Sequence, residues 1–396
     1  MTKLTQKSNK YEKCRVAFRE HFKKGLKPAD GSQPMSDDQA KEIVQKLIDA
    51  RVPKDGLIGV LDAFLILCTH LKEAGFTNLV LLEKEHQKLT SMQKTYYNNI
   101  KSLCKSSNIK YYIPPNNNYE NCDMKFAAAL GNPAYNEQLH LKMLLILLER
   151  SETVVLTHPS GWLTRFTAPK EKEVKAALKG RLKKLTIYNG SSKFPKAQFQ
   201  APLVITEAVR EHTGSIEVCY ENTGNVFFID SLDDFPSGYW EPTDINYELK
   251  EYIYKKAKES NILQLRTSNM NMIPLALPAT CGHINTSSDS ELFKNDFFTF
   301  FYKNSDMYKY DHCEGQFYSL NNEDERESLV SYLKTKFARF ALALNKSNNW
   351  NVTIRYLEVV PLPPLDRLWT EESIMDYYDL RSDQKDNINK FIPNYY

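Results

Sequence analysis

The chain contains no run of about 18 apolar residues, so nothing in it reads as a membrane span. Its first residues are polar and lysine-rich, without the apolar core of a secretory signal. The seven cysteines, Cys14, Cys68, Cys104, Cys122, Cys219, Cys281 and Cys313, are scattered and form no CxxC pair. An odd, unpatterned set argues against a disulfide framework and fits reduced thiols in a cytoplasmic compartment. Walker loops, HExxH helices and GxSxG elbows are absent. Cys281-x-His283 and His312-Cys313 could offer two ligand pairs, but structural zinc prefers a CxxC-type knuckle, so no metal centre is expected. There is no internal repeat and no low-complexity tract.

What remains is an ordinary globular composition. The chain has 396 residues, 42% of them hydrophobic and 26% charged, enough for a sizeable core and long enough for two domains. The net charge of +3 is unevenly spread. Residues 1–28 carry nine Lys/Arg against Glu12 and Glu20, and residues 165–196 carry ten against Glu171 and Glu173. Such segments read either as a face for a polyanion or as solvated helix surface.

The apolar pattern divides the chain into three parts. Residues 1–35 form a basic N-terminal segment. From 36 to 225 strands alternate with helices. "MSDDQAKEIVQKLIDARV" predicts a helix capped by Ser36, with an apolar stripe through Ile43, Val44, Leu47 and Ile48. Strands are expected in "LIGVLDA", "NLVLLEKE", "IKYYI", "MKFAAALG", "TVVLTHP" and "KLTIYNG", with helices between them. "APLVITEAV" and "SIEVCYEN" read as an antiparallel pair turning at His212-Thr213-Gly214. This rhythm predicts an α/β domain with a mostly parallel sheet and an antiparallel edge. From 226 to 396 the rhythm changes, and a second, α+β domain is expected. Within it, "DERESLVSYLKTKFARFALALNKS" reads as one long amphipathic helix.

The most informative stretch is the end of the fourth strand, Gly131-Asn132-Pro133-Ala134-Tyr135. Ligands of open parallel sheets sit beyond the carboxyl ends of the strands. An Asn side-chain oxygen and a neighbouring carbonyl can both accept from an exocyclic amine. The proline fixes that carbonyl, and the tyrosine ring can stack on a planar base taken out of a duplex.

These residues resemble motif IV of the amino-DNA methyltransferases, usually Asn/Asp-Pro-Pro-Tyr, and in particular the adenine-N6 enzymes of the restriction-modification and phage type. Asp123-Met124-Lys125-Phe126 precede the strand, as an aspartate and phenylalanine do in that family. "VVLTHPSGWL" is similar to the next strand with its Pro-Ser-x-Trp end, and "LTIYNGSSKFPKAQFQAPLVIT" to the Asn-Gly and Phe-Pro elements that follow. The Trp-Thr-Glu-Glu of the C-terminal region also matches tails of this group. The resemblance covers roughly residues 36–215 and 328–396. It implies a Rossmann-like methyltransferase sheet, DNA as partner and S-adenosylmethionine as cofactor. It assigns Asn132, Pro133 and Tyr135 to the target base. Asp62, Glu83 (or Glu85) and Asp123 (or Glu120) are assigned to the cofactor. Arg165, Lys183, Lys184, Lys193 and Lys196, which lie between family elements, are candidates for phosphate contact.

Two departures stand out. The second proline of the motif is Ala134, and Asp62-Ala63 runs into a helix without the glycine loop that lets a backbone approach the cofactor. The chain is therefore read in two ways. It is either an adenine-N6 methyltransferase, or a catalytically silent relative acting as a nucleic-acid-binding or partner-binding subunit.

Overall fold

A computed structural model describes residues 35–62, 64–84, 88–135, 138–164, 169–188, 202–221, 223–236, 238, 240–265, 273–278, 303–304, 315–345 and 354–392. The chain divides into two compact units, Met1–Asp234 and Phe235–Tyr396.

The first unit opens with α1 (Asp37–Asp49). The Ser36 hydroxyl accepts from the Gln39 amide at 3.2 Å, and Asp37 and Asp38 sit in the first turn where the helix dipole favours them. There follow β1 (Leu57–Leu61), α2 (Ile66–Glu73), β2 (Asn78–Leu82), α3 (Ser91–Ser106) and β3 (Lys110–Tyr112). Next come β4 (Phe126–Gly131), α4 (Leu139–Arg150), β5 (Ser151–Pro159), α5 (Gly161–Thr164), α6 (Pro169–Leu178), β6 (Leu182–Tyr188), β7 (Leu203–Val209), β8 (Ile216–Tyr220) and β9 (Asn225–Ile229). One nine-stranded sheet takes them in the order β3-β2-β1-β4-β5-β7-β6-β8-β9. β1 to β5 are mutually parallel where they pair, and β7 is antiparallel to both β5 and β6. This is the expected α/β, Rossmann-like sheet, with its strand order reversing between β1 and β4. Ile43 and Leu47 of α1 and Leu67 and Leu71 of α2 are completely buried in its core, each contributing roughly 2 kcal/mol.

The expected hairpin between residues 201 and 222 is not formed. β6 lies between β7 and β8, and β8 finds its antiparallel partner in β9. β7 sits between two strands and is buried almost throughout, whereas β8 turns back through Gly224 (φ +73°) into a strand whose alternate residues are exposed. β9 thus extends the sheet, and the division between units falls after Asp234.

The second unit is α+β. Its helices are α7 (Asp244–Glu259), α8 (Glu323–Lys334), α9 (Lys336–Ala343), α10 (Ile354–Leu357), α11 (Glu371–Tyr377) and α12 (Ser382–Phe391). Three antiparallel strands, β10 (Ile273–Pro278), β11 (Lys303–Asn304) and β12 (Gly315–Leu320), form a small sheet. The long helix expected from 324 to 347 breaks at Thr335. That residue is extended, and its hydroxyl caps α9 by accepting from the Ala338 amide at 3.3 Å. Glu371 accepts from the Lys336 amide at 2.7 Å, satisfying a second orphan donor. Trp240, Tyr332, Phe337 and Phe340 fill the core of this unit. Among the described residues no helix is long and apolar enough to cross a membrane.

Candidate functional site

β1 and β4 are neighbours, so their carboxyl ends lie side by side at the point where the strand order reverses. Leu61 pairs with Gly131, and the Asn132 amide donates to the Leu61 carbonyl at 3.0 Å. The two backbones approach so closely that a Cβ on Gly131 would stand 2.4 Å from the Leu61 oxygen. Glycine is needed there for the strands to touch, and the bond to Leu61 then fixes where Asn132 begins. Pro133 and Ala134 are buried and Tyr135 is half-buried. The Tyr135 hydroxyl donates to Asn132 Oδ1 at 2.5 Å. Burial pushes the Tyr135 phenol well above its ordinary range, so it stays an O–H donor.

The acids assigned to the cofactor fall in two places. Asp62 is the residue after β1 and is buried. Its Oδ1 accepts from the Phe64 amide at 3.2 Å and its Oδ2 from the Cys68 amide at 3.1 Å. Burial raises its pKa from 3.8 to about 6, with the amide bonds opposing. In the turn after Asp62, Leu65 takes up the left-handed conformation (φ 56°) and, with Phe64, buries its side chain in the core. Glu83, directly after β2, is also buried; its amide donates to the Tyr112 carbonyl at 3.0 Å and its Oε1 accepts from the Lys84 amide at 2.9 Å. Asp62 and Glu83 act on a common neighbour: burial and their two charges push the Cys104 thiol up to about 12. Asp123 is exposed and precedes β4, at the opposite edge of the sheet from Asn132, and Glu120 also precedes that strand. Parallel strands impose this on Asp123, because a residue immediately before β4 enters the strand at the end opposite to the one where Asn132 leaves it. The structure therefore brings Asp62, Glu83, Asn132, Pro133 and Tyr135 to one edge and leaves Asp123 away from it, while Glu120 lies in the β3–β4 connection and pairs with Lys142 of α4 at 3.0 Å. Glu85 lies outside the described residues.

Two of the lysines expected to meet phosphate have carboxylate partners within the sheet. Lys183 pairs with Glu207 at 2.8 Å and Lys184 with Glu217 at 2.6 Å, each across neighbouring strands. Glu207 is buried and also lies 4.0 Å from Lys46. Arg165, Lys193 and Lys196 lie outside the described residues, as do residues 1–34 and Cys281, His283, His312 and Cys313. Among the described residues no group of three His, Cys, Asp or Glu could hold a metal ion.

Behind Tyr135 stands a column of rings that the sequence reading did not single out. Tyr135 meets His140 edge-on at 5.8 Å, His140 lies 5.7 Å from His158, and His158 stacks on Trp162 at 5.8 Å. These residues come from the loop after β4, the first turn of α4, the end of β5 and α5. His158 Nε2 bonds to Thr206 Oγ1 at 2.9 Å, while Nδ1 of both histidines and Nε1 of Trp162 have no hydrogen-bond partner among the described residues. Burial lowers the His140 pKa to about 4 and that of His158 well below its ordinary value, so both rings are neutral. A second buried link joins Gln39 of α1 to Thr157 Oγ1 at 3.3 Å and to the Tyr188 hydroxyl. The signal for the column was present in "LTHPSGW", where a histidine and a tryptophan flank a strand end.

At this edge an amine could meet the Asn132 oxygen and the Pro133 carbonyl, with the Tyr135 ring alongside. No family model matches the chain, and no curated protein does. Solved structures do resemble it. The type IIG restriction endonuclease BpuSI matches with a TM-score of 0.42 at 12% identity, over 90% of this chain and 60% of that one. A type I restriction-modification methyltransferase subunit from Streptococcus thermophilus matches with a TM-score of 0.34 at 14% identity, over 49% of this chain and 46% of that one. This chain thus spans about half the length of that subunit. Magnesium protoporphyrin IX methyltransferase from Synechocystis PCC 6803, with bound S-adenosylmethionine, matches with a TM-score of 0.30 at 14% identity, over 44% of this chain and 79% of that one. Likenesses of this size concern the course of the backbone and bring no residue roles to this chain.

Proposed function

We propose that the chain is an adenine-N6 DNA methyltransferase that holds the amino group of a flipped adenine at the carboxyl edge of β4. The observation that carries this reading is the anchoring of Asn132 to Leu61 at the reversal of strand order, with two buried acids, Asp62 and Glu83, at the ends of adjoining strands. The residues present fit S-adenosylmethionine. An acid follows β2, another follows β1, and the bulky residues of the intervening loop point into the core instead of over the edge. Glu83 would hold the ribose hydroxyls and Asp62 the ammonium end. When bound, the cofactor supplies an electrophilic methyl group. The Asn132 oxygen and the Pro133 carbonyl accept from the adenine amine and orient its nitrogen lone pair. Tyr135 keeps the Asn132 amide in one orientation through its hydroxyl and offers its ring to the base. Positioning and fixed dipoles then supply much of the rate, with no general base required.

One observation favours a second reading, a subunit that binds nucleic acid or a protein partner without methylating. The Asp62 carboxylate already accepts from the first amides around α2, and Leu65 carries a backbone conformation that costs on the order of 1 kcal/mol outside glycine. Calorimetry with S-adenosylmethionine separates the two. Binding by the wild-type protein that is lost in Glu83→Ala supports the enzyme. Absence of binding at millimolar cofactor removes the enzyme reading and leaves the subunit. Binding unchanged in Glu83→Ala removes the assignment of that acid.

A further inference from the structure

Residues 86–119 contain five lysines and no aspartate or glutamate. The fold gathers most of this stretch on α3 and on β3, the outermost strand at one side of the large sheet. Lys94, Lys101 and Lys105 follow one another at intervals of seven and four residues. At 3.6 residues per turn they share one stripe, within an arc of about 40°, and span about 16 Å of α3. All three are exposed, as are Lys88 and Lys110. None of the five has a carboxylate partner among the described residues, whereas Lys46, Lys142, Lys170, Lys183 and Lys184 all do.

Tyrosine rings interleave with this charge. Lys101 lies 5.3 Å from the Tyr111 ring, Lys110 lies 5.6 Å from that of Tyr112, and Lys84 lies 5.9 Å from that of Tyr119. Tyr111 and Tyr112 are half-buried and keep part of their rings in solvent.

We propose that this α3–β3 face binds the phosphate backbone of a nucleic acid. The proposal rests on reading the chain as a nucleic-acid protein and is independent of methyl transfer. A row of like charges without local acids repels itself, and a polyanion relieves that repulsion while releasing counterions. Unpaired bases have the face of Tyr111, beside Lys101, to stack on, while Lys110 and Tyr112 stand on the other side of β3 because successive strand residues alternate. An anionic membrane fits less well: the exposed apolar residue of α3, Met92, lies on the side of the helix away from the lysine stripe, so the basic face has no apolar group to insert.

The test is fluorescence anisotropy with a labelled mixed-sequence DNA, single-stranded and duplex, titrated over a range of salt concentrations. It compares the full wild-type chain with the triple variant Lys94→Gln, Lys101→Gln, Lys105→Gln, after circular dichroism shows that both are folded. The expected result is a salt slope smaller by about two to three in the variant, affinity lower by at least about tenfold, and the same loss on every sequence. An unchanged slope in a variant whose parent binds DNA overturns the face and leaves the nucleic-acid reading standing. A wild-type chain that binds neither DNA overturns both. Loss of binding to phosphatidylserine vesicles without loss of DNA binding overturns the choice of partner.

Discussion

The Asn132 amide donates to the Leu61 carbonyl across 3.0 Å, one residue past the last paired position between β4 and β1. This bond ties the start of the Asn-Pro-Ala-Tyr loop to the end of the neighbouring strand. It depends on the absence of a side chain at Gly131, where a Cβ would meet Leu61 at 2.4 Å from oxygen and 2.5 Å from Cβ. Gly131→Ala therefore forces β1 and β4 apart and costs about 1–3 kcal/mol of stability. Urea unfolding measures this, and a variant as stable as the wild type would show that the strands are not so tightly apposed.

Tyr135 and Asn132 form one unit through the 2.5 Å hydroxyl bond. Tyr135→Phe keeps the ring and removes the donor that orients Asn132. The expected outcome is DNA affinity within about twofold of wild type and a single-turnover methylation rate lower by about tenfold, the rate equivalent of one ordinary hydrogen bond. Tyr135→Ala removes the ring as well, and both affinity and rate fall. A Tyr135→Phe variant that methylates as fast as the wild type would mean that the hydroxyl does nothing for Asn132.

The buried histidines make stability depend on pH with a definite sign. Burial lowers the His140 pKa from 6.5 to about 4, and His158 shifts in the same direction. Between those values the unfolded chain binds a proton that the folded chain refuses, so stability falls as pH drops from 6.5 toward 4. Asp62 works against this, because its folded pKa is raised from 3.8 to about 6 and it takes up its proton first in the folded chain. Glu371, whose pKa burial also raises, acts in the same sense as Asp62, so the histidine contribution is read from the difference between wild type and His140→Leu. His140→Leu removes up to about 3 kcal/mol of that pH dependence, while Asp62→Asn steepens it. Chemical denaturation at pH 7 and pH 5 checks both, and a His140→Leu variant with the pH dependence of the wild type would contradict the neutral column.

Lys183 and Lys184 are held by Glu207 and Glu217 across neighbouring strands. Lys183→Gln leaves the buried Glu207 with the more distant Lys46 and lowers stability by about 1 kcal/mol. The salt slope of DNA binding stays as in the wild type. A slope reduced by about one would return Lys183 to the phosphate contacts.

The parts of this molecule that sequence made legible are those governed by local rules. The Ser36 cap, the alternation of strand and helix through β5, and the strand that ends at Gly131 all follow from periodicity and turn chemistry. What escaped depended on distant partners. β7 pairs with β5 and β6 instead of β8 because strand order is a tertiary choice, and β9 is a strand because β8 needed a partner. The break at Thr335 answers to Glu371, which lies far along the chain. At the site, Asn132, Asp62 and Glu83 were reachable because each directly follows a strand, and Tyr135 because it closes the same short turn as Asn132. Of the His140–His158–Trp162 column only the His158 and Trp162 half left a local trace, in "LTHPSGW", since His140 joins it from a separate helix that meets the strand end only in the fold.

The central claim is that the edge formed by Leu61, Asp62 and Asn132 carries methyl transfer to an adenine amine. The most direct measurement is incorporation of labelled methyl from S-adenosylmethionine into duplex DNA, with the product identified as N6-methyladenine. It is run on the wild type and on Asn132→Ala. The account predicts incorporation by the wild type and a loss of about 100-fold or more in the variant, with the fold intact. A folded wild-type chain that binds DNA but transfers no methyl group, or an Asn132→Ala variant that transfers as well as its parent, would contradict it.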